Sequence, residues 1–425
     1  MAFTVSTASK VMTERIEPVL RSAFLVGTDE EAPTFDLFMK GEKERTNELG
    51  RRIPIRVTPN ASYGSITEGG QLPLAGTPEI VQLRIYYLNQ FMMGEINRAV
   101  LDQATESDLV KFMRTPMEDD QKTFRRIQNL WMHGTGSGAL GVAGTVVTGA
   151  AGTVTFTGDY GAENIIKGAR LVFFSSAGTA HNQSGAVTVS TVTGIAGDVV
   201  TFDTVPTDVV ATDTAHYYGS KDLAPHGIPY HVSETSSTYL GVDTSVYGGI
   251  KSTIVDAGAS SGAGGTALTP GMLDLMEAKR RRRSGANASR RGRTYISHTA
   301  QEFNYRQLGY TTTYGIQRVM SVNSADDRKF DLAVGKASHN GANWILDNQA
   351  PKSAIWDLHV PDFTIEYVVL PKFYDDGNGN KLWMKSGSGA PYDALQYSCY
   401  ARYDLLCKNR GNQSAILNLP YISGL

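Results

Sequence analysis

The sequence predicts an α+β fold that carries an inserted all-β module. Three observations predict it. Residues 51–92 read as two extended runs joined by an apex dense in Gly and Pro, an arm without an evident core of its own. Residues 115–133 place apolar side chains at helical spacing. Residues 134–220 change character: Gly, Thr, Val and Ala dominate, Lys and Arg become scarce, and short alternating runs appear.

The elements follow in order. Val11, Met12, Ile16, Val19, Leu20 and Phe24 fall on one face of a short helix that Pro18 bends or divides, which makes an N-terminal arm. Residues 41–52 are nearly all charged or polar, either a hinge or a solvated helix face. In the outgoing run Ile53, Ile55 and Val57 alternate with Pro54, Arg56 and Thr58, the period of a strand exposed on one face. Pro54 and Pro59 cannot donate to a ladder, so this strand lies at an edge or is only intermittently paired. The apex, 60–78, holds Gly64, Gly69, Gly70, Gly76, Pro73 and Pro78 and excludes regular structure. The return run alternates Val81, Leu83, Ile85 and Tyr87 on one face. A two-stranded ribbon is marginal alone in water, so it either packs on its own domain or lies on another surface.

Thr115, Pro116 and Glu118 predict a helix start, as cap, first helical residue and capping box, with Asp119 and Asp120 near the positive end of the dipole. Phe124, Ile127, Leu130 and Trp131 form its apolar stripe, which reads as core packing before any cofactor site, and Gly134 stops it. Strands are expected at 153–156, 169–174, 186–192 and 198–202, a small sandwich or barrel facing solvent. A Gly/Ser/Ala connector, 256–268, leads to a helix capped by Thr269 with Pro270 first, running into Arg280–Arg283. Further strands are expected at 295–297, 355–356, 363–370, 381–384 and 394–406.

At 425 residues the chain has room for two or three compact units. Net charge is −2 with 19% charged residues, so global electrostatics name no partner. No secretion signal is visible, and apolar runs break before the ~18 residues of a membrane helix, so no membrane partner is expected. Cys399 and Cys407 are too far apart to pair, about 26 Å along a strand or about 12 Å along a helix, and read as buried thiols in a reducing compartment.

No phosphate loop, nucleophile elbow or zinc helix is present, and the expectation is a non-enzyme without cofactor or metal. The eight histidines are scattered; His226 and His231 lack helical ligand spacing, which leaves only a loop pair. Residues 375–380 offer oxygens at alternate positions but lack the acid of a calcium loop, so a hairpin turn is the better reading. The basic block Arg280, Arg281, Arg282, Arg283, Arg290, Arg291 and Arg293 has two readings. It contacts nucleic-acid phosphates, or it serves a helix C-terminus and inter-subunit pairing; no aromatics are interleaved within it for stacking.

This order of parts resembles the major capsid protein of tailed double-stranded DNA bacteriophages, the Hong Kong 97 type capsid fold. The resemblance rests on architecture over nearly the whole chain outside the insertion, together with the closing run 393–419. It implies an N-terminal arm (1–50), an extended β arm or E-loop (51–92), and a peripheral domain with spine helix (93–140). The inserted β-rich domain (141–220), an axial domain (221–345) and a strand-rich part completing both domains (346–425) follow. It implies a structural subunit of hexamers and pentamers in an icosahedral shell around DNA, located in the virion and assembled in the host cytoplasm. The expected partners are other copies of the chain, a separate scaffolding protein, a portal and, in some relatives, a decoration protein. Arm contacts to a neighbour are expected at Arg51, Arg52, Arg56, Tyr63, Glu68, Leu72, Leu74 and Arg84. Some relatives cross-link a lysine to an asparagine, but no lysine lies between Arg51 and Lys111, so that chemistry is not expected. Two alternatives remain: an encapsulin-like compartment, or a β-rich virion surface or tail protein whose 141–220 module binds a receptor.

Overall fold

The computed structural model describes residues 32–46, 50–58, 62–65, 71, 76–97, 106–183, 186–235, 238–258, 265–284, 292–311, 338–339, 342–375, 381–386 and 391–421. The helical face expected at 10–25, Glu68, Leu72 and Leu74, Arg290 and Arg291, and most of the 375–380 turn lie outside the described residues.

Helix α1 (Pro33–Lys40) is followed at once by strand β1 (Glu42–Arg45). The polar stretch 41–52 is therefore neither hinge nor helix face over these residues: Glu42–Arg45 pairs in parallel with residues 364–367. Its charges suit an edge strand, where they discourage pairing with other chains. Strands β2 (Gly50–Thr58) and β3 (Glu79–Tyr86) form the antiparallel arm, and β4 (Leu88–Asn97) returns to the main sheet.

Helix α2 (Glu106–Met132) corrects the sequence reading. It does not begin at Thr115; Pro116 lies inside it, and Glu118 pairs with Arg114 one turn back instead of closing a capping box. The local cap signal loses because Met113 and Met117, on either side of the proline, are both fully buried in the core. Tertiary packing outweighs propensity there.

Residues 139–217 close into a barrel of β5 (Ala139–Val147), β6 (Thr153–Thr157), β7 (Arg170–Phe174), β8 (Ser190–Ala196), β9 (Val199–Phe202) and β10 (Thr214–Tyr217). Around the barrel the order is β8, β9, β6, β5, β10, β7. Its inward alternation supplies Leu140, Val154, Phe156, Leu171, Phe173, Val200, Phe202 and Ala215, with Phe173 and Phe202 edge to face at 5.5 Å. The chain enters and leaves at neighbouring points. Gly138 has φ +75°, and a β-carbon there would stand 2.2 Å from the Ser220 carbonyl oxygen, so only glycine fits.

Strand β11 (Thr253–Asp256) and helix α3 (Pro270–Ser284) precede β12 (Arg293–Ser297), helix α4 (Thr299–Thr311), β13 (Ala342–Leu346) and β14 (Ile355–His359). Next come β15 (Phe363–Phe373), β16 (Trp383–Ser386), the 17-residue β17 (Pro391–Cys407) and β18 (Ser414–Leu417). Two sheets result. One joins β1, β15, β17 and β16, with β4 also on β17; the other orders β11, β18, β14, β12, β13 and the short strand Ser338–His339.

Helices α1 and α2 cover the first sheet through Phe35, Phe38, Met39, Phe124, Tyr397, Tyr403 and Leu405. Asp347, ahead of β14, ties them to the second sheet: Thr34 and Asn129 donate to it, and His133 Nε2 lies 2.9 Å away. Burial opposes its ionisation, yet His133 and these donors hold its pKa down to about 2. Among the described residues no helix is long and apolar enough to cross a membrane.

Candidate functional site

The arm has a rooted face and a bare face. Leu83, Ile85 and Tyr87 are buried on Tyr239, Leu240, Val242 and Ile250, with Ile53, Ile55, Val57 and Val81 partly covered beside them. The arm is thus anchored on its own chain, a correction to the reading that it lacks a core. Tyr239 is a fixed platform: its hydroxyl donates to the Cys407 carbonyl, and the Arg410 guanidinium lies 4.0 Å above its ring.

The opposite face carries Arg52, Pro54 and Arg56 from β2 and Ile80, Gln82, Arg84 and Tyr86 from β3, all exposed. Arg52 and Arg84 are directly opposed in the ladder. Like charges in that position destabilise a ribbon. Among the described residues neither makes an ion pair, and Arg56 donates only to the Thr58 carbonyl, at 3.4 Å. Ile80 is 61% and Tyr86 63% exposed. Tyr63, near the apex, is 92% exposed. Sequence reasoning chose the arginines and Tyr63 but missed Ile80 and Tyr86. The signal was present, because they occupy the parity of β3 opposite to Val81, Leu83 and Ile85.

Arg51 differs from its neighbours. Its guanidinium donates to Glu44 and to both carboxylate oxygens of buried Glu366, so it serves the root of the arm within its own chain. The hydrogen bonds from Arg51 and then from Lys408 hold the Glu44 carboxyl below its ordinary range.

The basic block divides in the same way. Arg280 and Arg293 are buried, and both reach Asp357, at 2.8 and 2.7 Å. They are core residues, which corrects their assignment to an exposed basic loop: a carboxylate buried between sheet and helix requires cations beside it. Arg281 pairs with Glu277 one turn back, and Arg283 donates to the Ser252 carbonyl with Glu234 at 3.6 Å. Arg282 is exposed.

The histidine pair is likewise explained by other partners. His226 Nδ1 meets Asp404 at 2.8 Å and His231 Nδ1 meets the Tyr239 hydroxyl at 2.9 Å. Among the described residues no group of three or more His, Cys, Asp or Glu suits a metal ion. Cys399 and Cys407 are buried free thiols on one strand, both pushed up by burial.

A second apolar surface lies on β4 and its sheet. Phe91 and Met93 are 53% and 55% exposed; Phe91 stacks on Tyr400 at 4.6 Å and meets Tyr374 edge-on at 5.8 Å. Phe91 and Met93 border a cleft of about 670 Å³ between β4, α2 and the barrel. Gln90 lines it with both side-chain polar atoms buried and without a hydrogen bond among the described residues.

No family model matches this sequence, and no curated protein does. Solved structures do. A chain of the cyanophage A-1(L) capsid asymmetric unit aligns over 92% of this chain and 93% of that one, at 12% identity and a TM-score of 0.56. The capsid of the native GTA particle aligns over 90% of each chain at 12% identity with a TM-score of 0.45. The procapsid of satellite phage P4, which includes a size determination protein, aligns over 95% of this chain and 90% of that one at 12% identity and 0.40. The fold of this chain is the one found in the cyanophage A-1(L) capsid asymmetric unit.

Proposed function

We propose that this chain is a major capsid protein of a tailed phage, a structural subunit that self-assembles into hexamers and pentamers of an icosahedral shell enclosing double-stranded DNA. The observation that carries the proposal is the arm. It is rooted by one face and exposes on the other Ile80 and Tyr86 among three arginines that make no ion pair among the described residues, and Tyr and Arg are types enriched in protein interfaces. A face that repels itself gains by lying on another subunit.

In this reading α2 and the sheet of β1, β15, β17, β16 and β4 make the peripheral domain, with α2 as spine helix. The sheet containing β12 and β14, with α3, makes the axial domain, and the 141–220 barrel is an insertion. Arg52, Arg56, Tyr63 and Arg84 contact the neighbouring copy, as do Glu68, Leu72 and Leu74 of the apex. Assembly uses a separate scaffolding protein and a portal and takes place in the host cytoplasm, and DNA is held by non-specific contacts. The role is structural, without catalysis, and without a lysine in the arm the grip on the neighbour is non-covalent. Deleting residues 60–78 tests this. Soluble subunits with unchanged thermal stability but no shells are expected by electron microscopy; normal closed particles would overturn the arm's role.

A further inference from the structure

Two carboxylates lie side by side beneath the root of the arm. Glu366 on β15 and Asp404 on β17 are directly opposed in register, and both are 0% exposed. Opposed residues of an antiparallel pair project to one face with β-carbons about 4.5–5.5 Å apart, where like charges repel. Each acid is met by a different element. Asp404 accepts from the His226 backbone N–H and faces His226 Nδ1, both at 2.8 Å. Glu366 is met by the arm itself: Arg51, second residue of β2, donates to its two oxygens at 3.1 and 2.9 Å.

The surroundings make that partnership hard to replace. Glu44 on β1 shares Arg51, and Lys408 after β17 is held at 3.0 Å from Glu44 and 3.2 Å from Glu42. Tyr87, between β3 and β4, faces the same site; burial, and then Glu366, push its hydroxyl up to about 12. Burial raises the Glu366 carboxyl in spite of Arg51, so desolvation outweighs the attraction of the cation beside it.

We propose that Arg51, Glu366 and Asp404 form a latch that fixes the direction of the arm, and that the latch opens when Glu366 takes up a proton. With Glu366 ionised, moving the arm root away leaves it a buried charge without its cation, opposed to Asp404, which keeps His226. With Glu366 neutral, the repulsion from Asp404 disappears and Arg51 is no longer required. The sign follows from Arg51, which lowers the Glu366 pKa while the latch is closed: the open state, still buried but without that cation, takes up the proton more readily, so the latch is closed above the titration and loosens as pH falls through it. The use of the latch in assembly rests on the capsid reading; its existence does not.

The test is hydrogen exchange of full-length, unassembled subunits, read at the arm root (51–57 and 81–87) and in the barrel (139–217) as a folding control. In Arg51→Met, opening of the arm root rises on the order of 100-fold at neutral pH while the barrel is unchanged. Arg51→Lys retains most protection. Adding Glu366→Gln to Arg51→Met restores protection to within about tenfold, because no buried charge at 366 remains without its cation. In the wild type, arm-root opening, corrected for intrinsic exchange, increases as pH falls; in Glu366→Gln alone it does not. An unchanged arm root in Arg51→Met, no recovery in the double variant, or a wild-type pH response in Glu366→Gln each overturns the latch. Because no shell is needed for the measurement, its failure is separate from failure of the capsid reading.

Discussion

The barrel of 139–217 and the arm of 50–86 draw on the same alternating, β-branched vocabulary, yet they satisfy it differently. In the barrel the alternation points inward to Phe156, Phe173 and Phe202, and closure leaves no edge strand unpaired. In the arm one parity reaches a platform on the same chain and the other stands exposed, its arginines without an ion pair among the described residues. Binding capacity stays where a sheet is left open. A sheet closed on itself has spent its cohesive surface, whereas a ribbon with one free face retains it for a partner.

The comparison can be broken at its strongest point first. Phe173→Ala in the barrel is expected to cost about 3–5 kcal/mol, read as a lower denaturation midpoint with hydrogen exchange accelerated throughout 139–217. A loss below about 1 kcal/mol would mean that the barrel is not a tightly packed unit. Leu83→Ala removes a fully buried side chain from the arm's rooted face and should cost about 2–4 kcal/mol, confined to the arm in exchange measurements. If barrel protection fell equally, the two regions would be one cooperative unit.

The smallest effect has the opposite sign. Arg84→Gln relieves the opposed Arg52 and should leave subunit stability unchanged or raise it by up to about 0.5 kcal/mol, while lowering the yield of shells. A fall in melting temperature would show that Arg84 already has a stabilising partner in its own chain.

How much of this was legible can be followed residue by residue. The arm's parity was readable because strand period is a local property: Ile53, Ile55, Val81, Leu83 and Ile85 all lie on the covered face. The start of α2 was misread because Thr115, Pro116 and Glu118 carry a cap signal of ordinary strength, and the buried Met113 and Met117 outweigh it. The basic block was half legible. Its charge is plain in the sequence, but nothing in the spacing distinguishes Arg280 and Arg293, which meet Asp357 77 and 64 positions away, from exposed Arg282.

By itself, then, the sequence determined periodicity, turns and composition: an α+β chain, a long ribbon, a β-rich stretch between residues 134 and 220. Which charges are paired inside the chain and which stay available is set by packing between distant elements. Arg51 and Arg52 are adjacent, yet one neutralises a buried carboxylate from β15 and the other faces outward with no ion pair among the described residues. The physical reason is that side-chain direction follows from neighbouring residues, whereas the worth of a charge depends on burial and on a partner supplied by distant parts of the chain.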